Sequence, residues 1–261
     1  MLEPGILQVE GVRLEARWAG PPPEEATTLV FLHEGLGSTS LWRDFPDWLA
    51  AETGCGALVY SRAGYGKSDP VPLPRPVRFM HDEAAVLPKV LAAAGVRDHL
   101  LVGHSDGASI SLIHAGSGPT PGLRGLILEA PHVFTEPHGL ASIAKMTEVY
   151  RDTDLRERLA RHHGANVDVA FRGWNDVWLD PEFKAWNIEE YLPAIRAPIL
   201  ILQGEDDEYG TWAQVEAIER RSGGPVESIV ISKCGHSPHR EQPEIALRAM
   251  AEFFARLAER S

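Results

Sequence analysis

The chain has 261 residues, 44% of them hydrophobic, which suffices for one large core or for one core with a subdomain inserted. With 37 acidic against 25 basic side chains the formal net charge is −12, so phosphates would repel it, and neither nucleic acid nor an anionic membrane is an expected partner. Cys55 and Cys234 are too few for a disulfide framework and lack zinc-site spacing. No apolar run approaches the ~18 residues that span a bilayer, and Met1-Leu2-Glu3-Pro4-Gly5 shows no leader pattern, so a cytoplasmic protein is expected.

Residues 6–18 alternate apolar and polar around Gly11, which predicts an antiparallel hairpin at a sheet edge. Residues 20–26 are proline-rich. Thr28-Leu29-Val30-Phe31-Leu32 is apolar on both faces, as an inner parallel strand requires, and runs into His33-Glu34-Gly35-Leu36-Gly37-Ser38. Helical spacing follows over 41–53. The next strand is Ala57-Leu58-Val59-Tyr60, followed by the Gly-rich stretch Ser61 to Asp69. A helix is predicted over 79–95, ending at Gly95. The apolar run Leu100-Leu101-Val102 then stops at Gly103-His104-Ser105-Asp106-Gly107, and a further strand, Leu126 to Ala130, is closed by Pro131.

Residues 132–192 break this rhythm. They contain no good strand, three amphipathic helical segments (139–151, 154–163 and 166–178) and an aromatic cluster that includes Phe171, Trp174, Trp178 and Trp186. Alternation resumes with a strand over 198–202, a helix over 211–222, a strand over 228–231 and a helix over 243–259. Strands alternating with helices predict a parallel sheet covered on both faces. The expected domain plan is a core of residues 1–131 and 193–261 with 132–192 inserted as a helical cap. The cap would lie over the C-terminal strand ends, where open α/β sheets hold ligands.

Gly-x-Ser-x-Gly between an apolar strand and a helix is the pattern of a nucleophile turn. Glycines on both sides of Ser105 let strand and helix cross closely, and the turn aims the first backbone N–H groups of the helix at whatever the hydroxyl attacks. Such a serine needs a base and an acid to orient that base. The strand at 198–202 runs into Gly204-Glu205-Asp206-Asp207-Glu208, and the strand at 228–231 runs into Gly235-His236-Ser237-Pro238-His239. The order is serine, acid, histidine, each at a strand end.

On these motifs the chain resembles the α/β-hydrolase superfamily over nearly its whole length, from His33-Glu34-Gly35-Leu36-Gly37 to His236. The loop Ser61-Arg62-Ala63-Gly64-Tyr65-Gly66-Lys67-Ser68 is part of that resemblance. It is similar in style to the capped esterase, enol-lactonase, C–C hydrolase and haloperoxidase-like branches. The resemblance implies a mostly parallel eight-stranded sheet flanked by helices, with an inserted helical cap. It places the acid at Asp207, three residues past Gly204, with Asp206 as the alternative and Glu205 a more distant one. It makes His236 the base, and His239 a loop histidine bonded to a neighbouring carboxylate. The oxyanion donors would be the backbone N–H groups of Asp106 and of Gly35, with Leu36 next in line.

Two departures from the family pattern stand out: Glu34 where a glycine is common, and Asp106 where Met, Gln or Leu is common. Either carboxylate would repel an anionic substrate group unless Arg62 or Arg172 paired with it. His104 is expected to pack inward and His33 to brace its loop. The remaining pocket candidates are Glu34, Leu36, His132, Phe134, Trp174 and Trp178, the tryptophans serving either the cap's own core or the substrate wall. No cofactor and no metal are expected: no histidine pair has a zinc-binding spacing, and the acids at 205–208 lack the alternation of a calcium loop. The expected activity is cleavage of a small, fairly apolar ester, lactone or thioester by a serine hydrolase, acting as a monomer or a homodimer. The rival readings are a C–C bond hydrolase of a ring-cleavage product and a ligand receptor on the same fold.

Overall fold

A computed structural model describes residues 5–259; the stretch Met1 to Pro4, read above for a leader, lies outside them. An antiparallel hairpin, β1 (Ile6–Val9) and β2 (Val12–Ala19), opens the chain. It is followed by β3 (Thr28–Leu32), α1 (Phe45–Thr53), β4 (Gly56–Tyr60), α2 (Phe79–Ala93), β5 (His99–His104), α3 (Asp106–Gly116) and β6 (Leu123–Glu129). Three helices come next: α4 (Pro137–Asp152), α5 (Leu155–His163) and α6 (Val167–Trp178). The chain then returns to the sheet with β7 (Ile199–Gly204), α7 (Trp212–Arg221), β8 (Val226–Ile231), α8 (Pro238–Glu241) and α9 (Pro243–Ala258).

The eight strands form one sheet in the order β1-β2-β4-β3-β5-β6-β7-β8. From β4 to β8 every pairing is parallel; β2 joins β4 antiparallel. The inner strands are buried on both faces, and their alternate residues feed two separate cores. Val30, Leu101, Leu126 and Ile199 pack on the side of α2 and α3. Phe31, Val102, Ile127 and Leu200 pack on the side of α1 and α9. The edge strand β8 is covered less well, and Val230 is half exposed.

One expected helix is divided. Residues 39–42 form a 3₁₀ turn, Arg43 takes φ +52°, and α1 starts only at Phe45. Pro46 accounts for the break: it fits the first turn of a helix, whose N–H groups need no partner, but not its interior.

Between β6 and β7 the described residues contain no strand, only α4 to α6, three 3₁₀ turns at 164–166, 181–185 and 189–194, and a single β-bridge between Phe134 and Asn187. Aromatic packing organises this segment. The rings of Phe183 and Trp186 stack at 5.2 Å, and Trp178 lies 4.7 Å from Phe183. Buried polar ties fasten it to the core. His163 Nε2–H donates to the carbonyl of Leu36 (2.9 Å), while its Nδ1 accepts from the N–H of Gly66 (3.0 Å). The Asn166 amide donates to the carbonyls of Gly66 (3.2 Å) and Ser68 (2.7 Å).

Candidate active site

Ser105 sits between β5 and α3 with φ +53° and ψ −115°, a conformation that costs an L-residue energy and is held by its surroundings. A Cβ on Gly103 would lie 2.5 Å from the carbonyl oxygen of Gly107, so strand and helix cross here at a distance that only glycine permits. The Ser105 N–H donates to the carbonyl of Glu129 at the end of β6 (2.9 Å), which pins the turn to the next strand.

The loops after β7 and β8 bring a carboxylate and an imidazole together. His236 Nδ1–H donates to the Asp207 carboxylate at 2.9 and 3.0 Å. Asp207 also accepts from the backbone N–H groups of Tyr209 (2.8 Å) and Gly210 (3.3 Å) and from the Gln203 amide (2.8 Å). Burial alone would raise its pKa. The facing His236 and the hydrogen bonds outweigh burial and hold Asp207 well below the usual carboxylate range. Asp206 is exposed and makes no contact with His236; its N–H donates to the carbonyl of Cys234. His132 lies with its ring 5.7 Å from that of His236. Burial, with His236 beside it, lowers its pKa to about 4, so it stays neutral.

The loop after β3 is braced from beneath. His33 Nδ1–H donates to the carbonyl of Glu34 (2.7 Å) and its Nε2 accepts from the N–H of Arg62 (3.1 Å), which leaves a neutral imidazole; burial and the Arg62 charge lower its pKa accordingly. The buried guanidinium of Arg62 donates to the carbonyls of His33 and Glu34. Arg62 therefore supports the loop rather than offering a charge to a ligand. Arg172 lies on the exposed face of α6, paired with Asp176. Neither arginine takes the pairing role expected from the sequence.

Glu34 and Asp106 have different surroundings. The Glu34 carboxylate, 21% exposed, lies 3.5 Å from Nδ1 of the fully buried His104. Burial disfavours charge on both, but each favours the other's ion: Glu34 is held well below its usual range and His104 is raised to about 9. The side chain of Asp106 is buried under α6, where Oδ1 accepts from the indole N–H of Trp178 (3.1 Å) and Oδ2 has no hydrogen-bond partner. Burial raises its pKa to about 6 despite the attraction of Arg62.

Ser105, His236, Glu34, Gly35 and Leu36 line one cavity of about 200 Å³. His132, Trp174 and Trp178 line it from the inserted segment. Phe134 does not: its N–H turns to the Gln214 side chain (3.3 Å). Five lining residues were not singled out from the sequence: Leu41, Ile143, Leu159, Tyr209 and Arg240. The apolar faces of α4 and α5 announced Ile143 and Leu159 as inward-facing, but nothing in a periodic pattern says whether inward means core or cavity. Trp174 packs so closely on Gly35 that any Cβ there would collide with the indole. Among the described residues one group of metal-type donors is close enough to share an ion, namely His104, Glu129 and His239, whose ligand atoms lie within 4.8 Å of one another.

Comparison with known proteins agrees with this architecture. Residues 29–249 match the profile of the α/β hydrolase family. A 2-succinyl-6-hydroxy-2,4-cyclohexadiene-1-carboxylate synthase from Serratia proteamaculans is 24% identical over 257 residues, covering 86% of this chain and 92% of that protein. In structure the chain is similar to VinJ (TM-score 0.76, 24% identity, 98% of this chain and 99% of that one). It is also similar to a thermophilic esterase from Thermogutta terrifontis (TM-score 0.75, 18% identity, 97% and 98%). Since the matching profile extends over most of the sequence, this protein belongs to the α/β hydrolase family.

Proposed function

We propose that the chain is a cofactor-independent serine hydrolase that cleaves a small, fairly apolar ester, lactone or thioester. The observation that carries this reading is the Asp207–His236 pair, which faces the same cavity as Ser105. With its Nδ1–H committed to Asp207, the imidazole presents Nε2 as the base. In this reading Ser105 Oγ attacks the carbonyl carbon while His236 takes its proton, then returns that proton to the leaving group. The acyl group stays on Ser105 until a water, activated by His236, releases it. The N–H groups of Gly35 and Asp106 bind the oxyanion. Residues 132–192 act as a cap over a core of 1–131 and 193–261. The cavity volume of about 200 Å³ supports a small substrate, since it lies below the roughly 300–1,000 Å³ usual for pockets that take drug-sized ligands. Its apolar lining by Leu36, Leu41, Ile143, Leu159 and the two tryptophans supports an apolar acyl or alcohol part.

A fluorophosphonate probe tests the proposal: the protein is labelled rapidly and the Ser105→Ala variant is not. A p-nitrophenyl ester panel run beside vinylogous diketones defines the reaction. Turnover of the diketones alone would move the assignment to C–C bond hydrolysis. No labelling of the wild-type protein would leave a binding protein on the hydrolase fold.

A further inference from the structure

Beside the Ser105 turn the structure holds two carboxylate–imidazole pairs that the proposed reaction does not use, one at the edge of the cavity and one buried. In the first, Glu34 faces Nδ1 of His104 (3.5 Å). In the second, His239 Nδ1–H donates to Glu129 Oε2 (2.6 Å). The two imidazole rings are 5.2 Å apart, and Trp42 closes the cluster 4.5 Å from His239. Each member is tied to a part of the candidate machinery. Glu34 precedes Gly35, the expected oxyanion donor, and His104 precedes Ser105. The carbonyl of Glu129 receives the Ser105 N–H (2.9 Å). His104 Nε2–H donates to the carbonyl of His236 (2.7 Å), and His239 lies three residues beyond it.

This geometry is costly without a purpose. A carboxylate at the edge of the cavity, one residue from an oxyanion donor, would repel the negative charge that develops on the substrate oxygen. His104 removes that penalty only as a cation. As a cation it also strengthens its donation to the loop carrying the base. The groups facing His104 are Glu34 from the loop after β3, Glu129 from the end of β6, and His236 and His239 from the segment after β8. The neutral His33 stands behind Glu34. Two carboxylates thus meet two buried imidazoles, and Glu34 faces His104 alone.

We propose that His104 is a positioning residue that works as a fixed imidazolium, cancelling the charge of Glu34 beside the oxyanion and holding the His236 loop in register with Ser105. The proposal rests on the reading of Ser105 and His236 as nucleophile and base.

The test is a double-mutant cycle read as kcat against pH with p-nitrophenyl acetate, using Glu34→Gln, His104→Gln and the double variant. Gln at 104 can still donate to the His236 carbonyl but leaves Glu34 uncompensated. It is expected to lower kcat by about tenfold or more at pH 8 with KM within about twofold. Glu34→Gln, which removes the charge beside the oxyanion and leaves a neutral pair, is expected to cost less. The double variant should recover most of the His104→Gln loss, a non-additivity that a packing role would not produce. In the wild type kcat should fall as pH rises through about 9, where His104 loses its proton, and this limb should be absent from every variant that lacks either member. Melting temperatures of all four proteins separate these effects from misfolding. Additive losses, or an unchanged basic limb in Glu34→Gln, would overturn the proposal. So would a divalent metal retained at one per chain after dialysis, because His104, Glu129 and His239 would then be neutral or anionic ligands. Loss of fluorophosphonate labelling in the wild type is the separate result that would remove the underlying reading.

Discussion

Asp207, on the sheet side of the cavity, is held by two backbone N–H groups, an amide and an imidazole, whereas Trp174 and Trp178, on the helical side, rely on packing and one hydrogen bond. The sheet side gets this redundancy from its architecture. The loops that follow β3, β5, β6, β7 and β8 leave one edge of a rigid parallel ladder, so each starts beside at least one neighbouring strand end, and all but the loop after the edge strand β8 beside two. The helical side is a single excursion between β6 and β7, tied down at a few points such as His163 and Asn166. A reaction that tolerates errors of only a fraction of an ångström is best placed on the first kind of support, and adaptation to a substrate on the second. Substitutions on the sheet side should therefore act on kcat. Those on the helical side should act on KM and on stability.

The largest expected effect tests the sheet side. His236→Ala should lower kcat by at least ~10³-fold, as loss of a triad base does elsewhere. Asp207→Asn should follow with a loss of ~10²-fold or more, because the amide no longer fixes the imidazole tautomer. Asp206→Asn, one residue away but exposed, should leave kcat within about twofold, in line with an ordinary surface substitution. Steady-state kinetics on one p-nitrophenyl ester read all three. Comparable losses for Asp206 and Asp207 would mean that the loop moves in solution and that the observed pairing is not the working one.

A smaller effect tests the helical side. Trp178→Phe keeps a ring in the cavity wall but removes the indole N–H that donates to Asp106 Oδ1, on a side chain whose Oδ2 already has no partner among the described residues. A buried polar atom left unsatisfied costs about 1–3 kcal/mol, so urea unfolding should show a loss of that size. If the helical side adapts as argued, kcat changes less than KM. A loss in kcat alone would mean that α6 helps to fix the oxyanion site, and the contrast between the two sides would weaken.

The parts of this site that were legible in the sequence share one physical cause. Strand ends, glycine turns and the serine–acid–histidine order are consequences of backbone geometry, and backbone geometry leaves periodic and compositional traces. Ser105, Asp207 and His236 all lie in such turns. The helix expected over 41–53 was legible only in its later part, because apolar spacing does not show the break that Pro46 imposes before α1. The Glu34–His104 pair was not legible, and for His239 a carboxylate partner was expected but not its identity as Glu129. The two pairs join positions 70 and 110 residues apart through a sheet register that no local pattern encodes. For the same reason Arg62 read as a free charge near the site and proved to be a brace for the loop beneath it. Phe134 read as a pocket candidate because it begins the inserted segment just past Pro131, yet the Phe134–Asn187 bridge and Gln214 turn its backbone away into the base of that segment.

The smallest effect concerns Asp106, which belongs to both sides at once: its N–H lies on the Ser105 turn and its carboxylate under α6. Burial raises its pKa from 3.8 to about 6, so the folded protein holds this proton more tightly than the unfolded chain does. The sign follows by linkage. Between pH 3.8 and about 6 the folded state carries the extra proton, and stability falls as pH rises through that window, by about 3 kcal/mol at most. Asp207 contributes the opposite slope: its depressed pKa adds stability above the unfolded value, lost as pH falls. Wild-type stability alone therefore conceals the Asp106 contribution, and the informative quantity is the difference from Asp106→Asn, in which Asp207 cancels. The variant should gain on the wild type as pH rises from 4 to 7 and hold a constant advantage above it, measured by urea unfolding at each pH. It should also keep fluorophosphonate labelling, since the backbone N–H of residue 106 is untouched. A difference that does not vary with pH would mean that the carboxylate is already ionised at pH 4, stabilised by Arg62 and the start of α3 more strongly than burial opposes it. The helical side would then rest on a charge rather than on a neutral hydrogen bond.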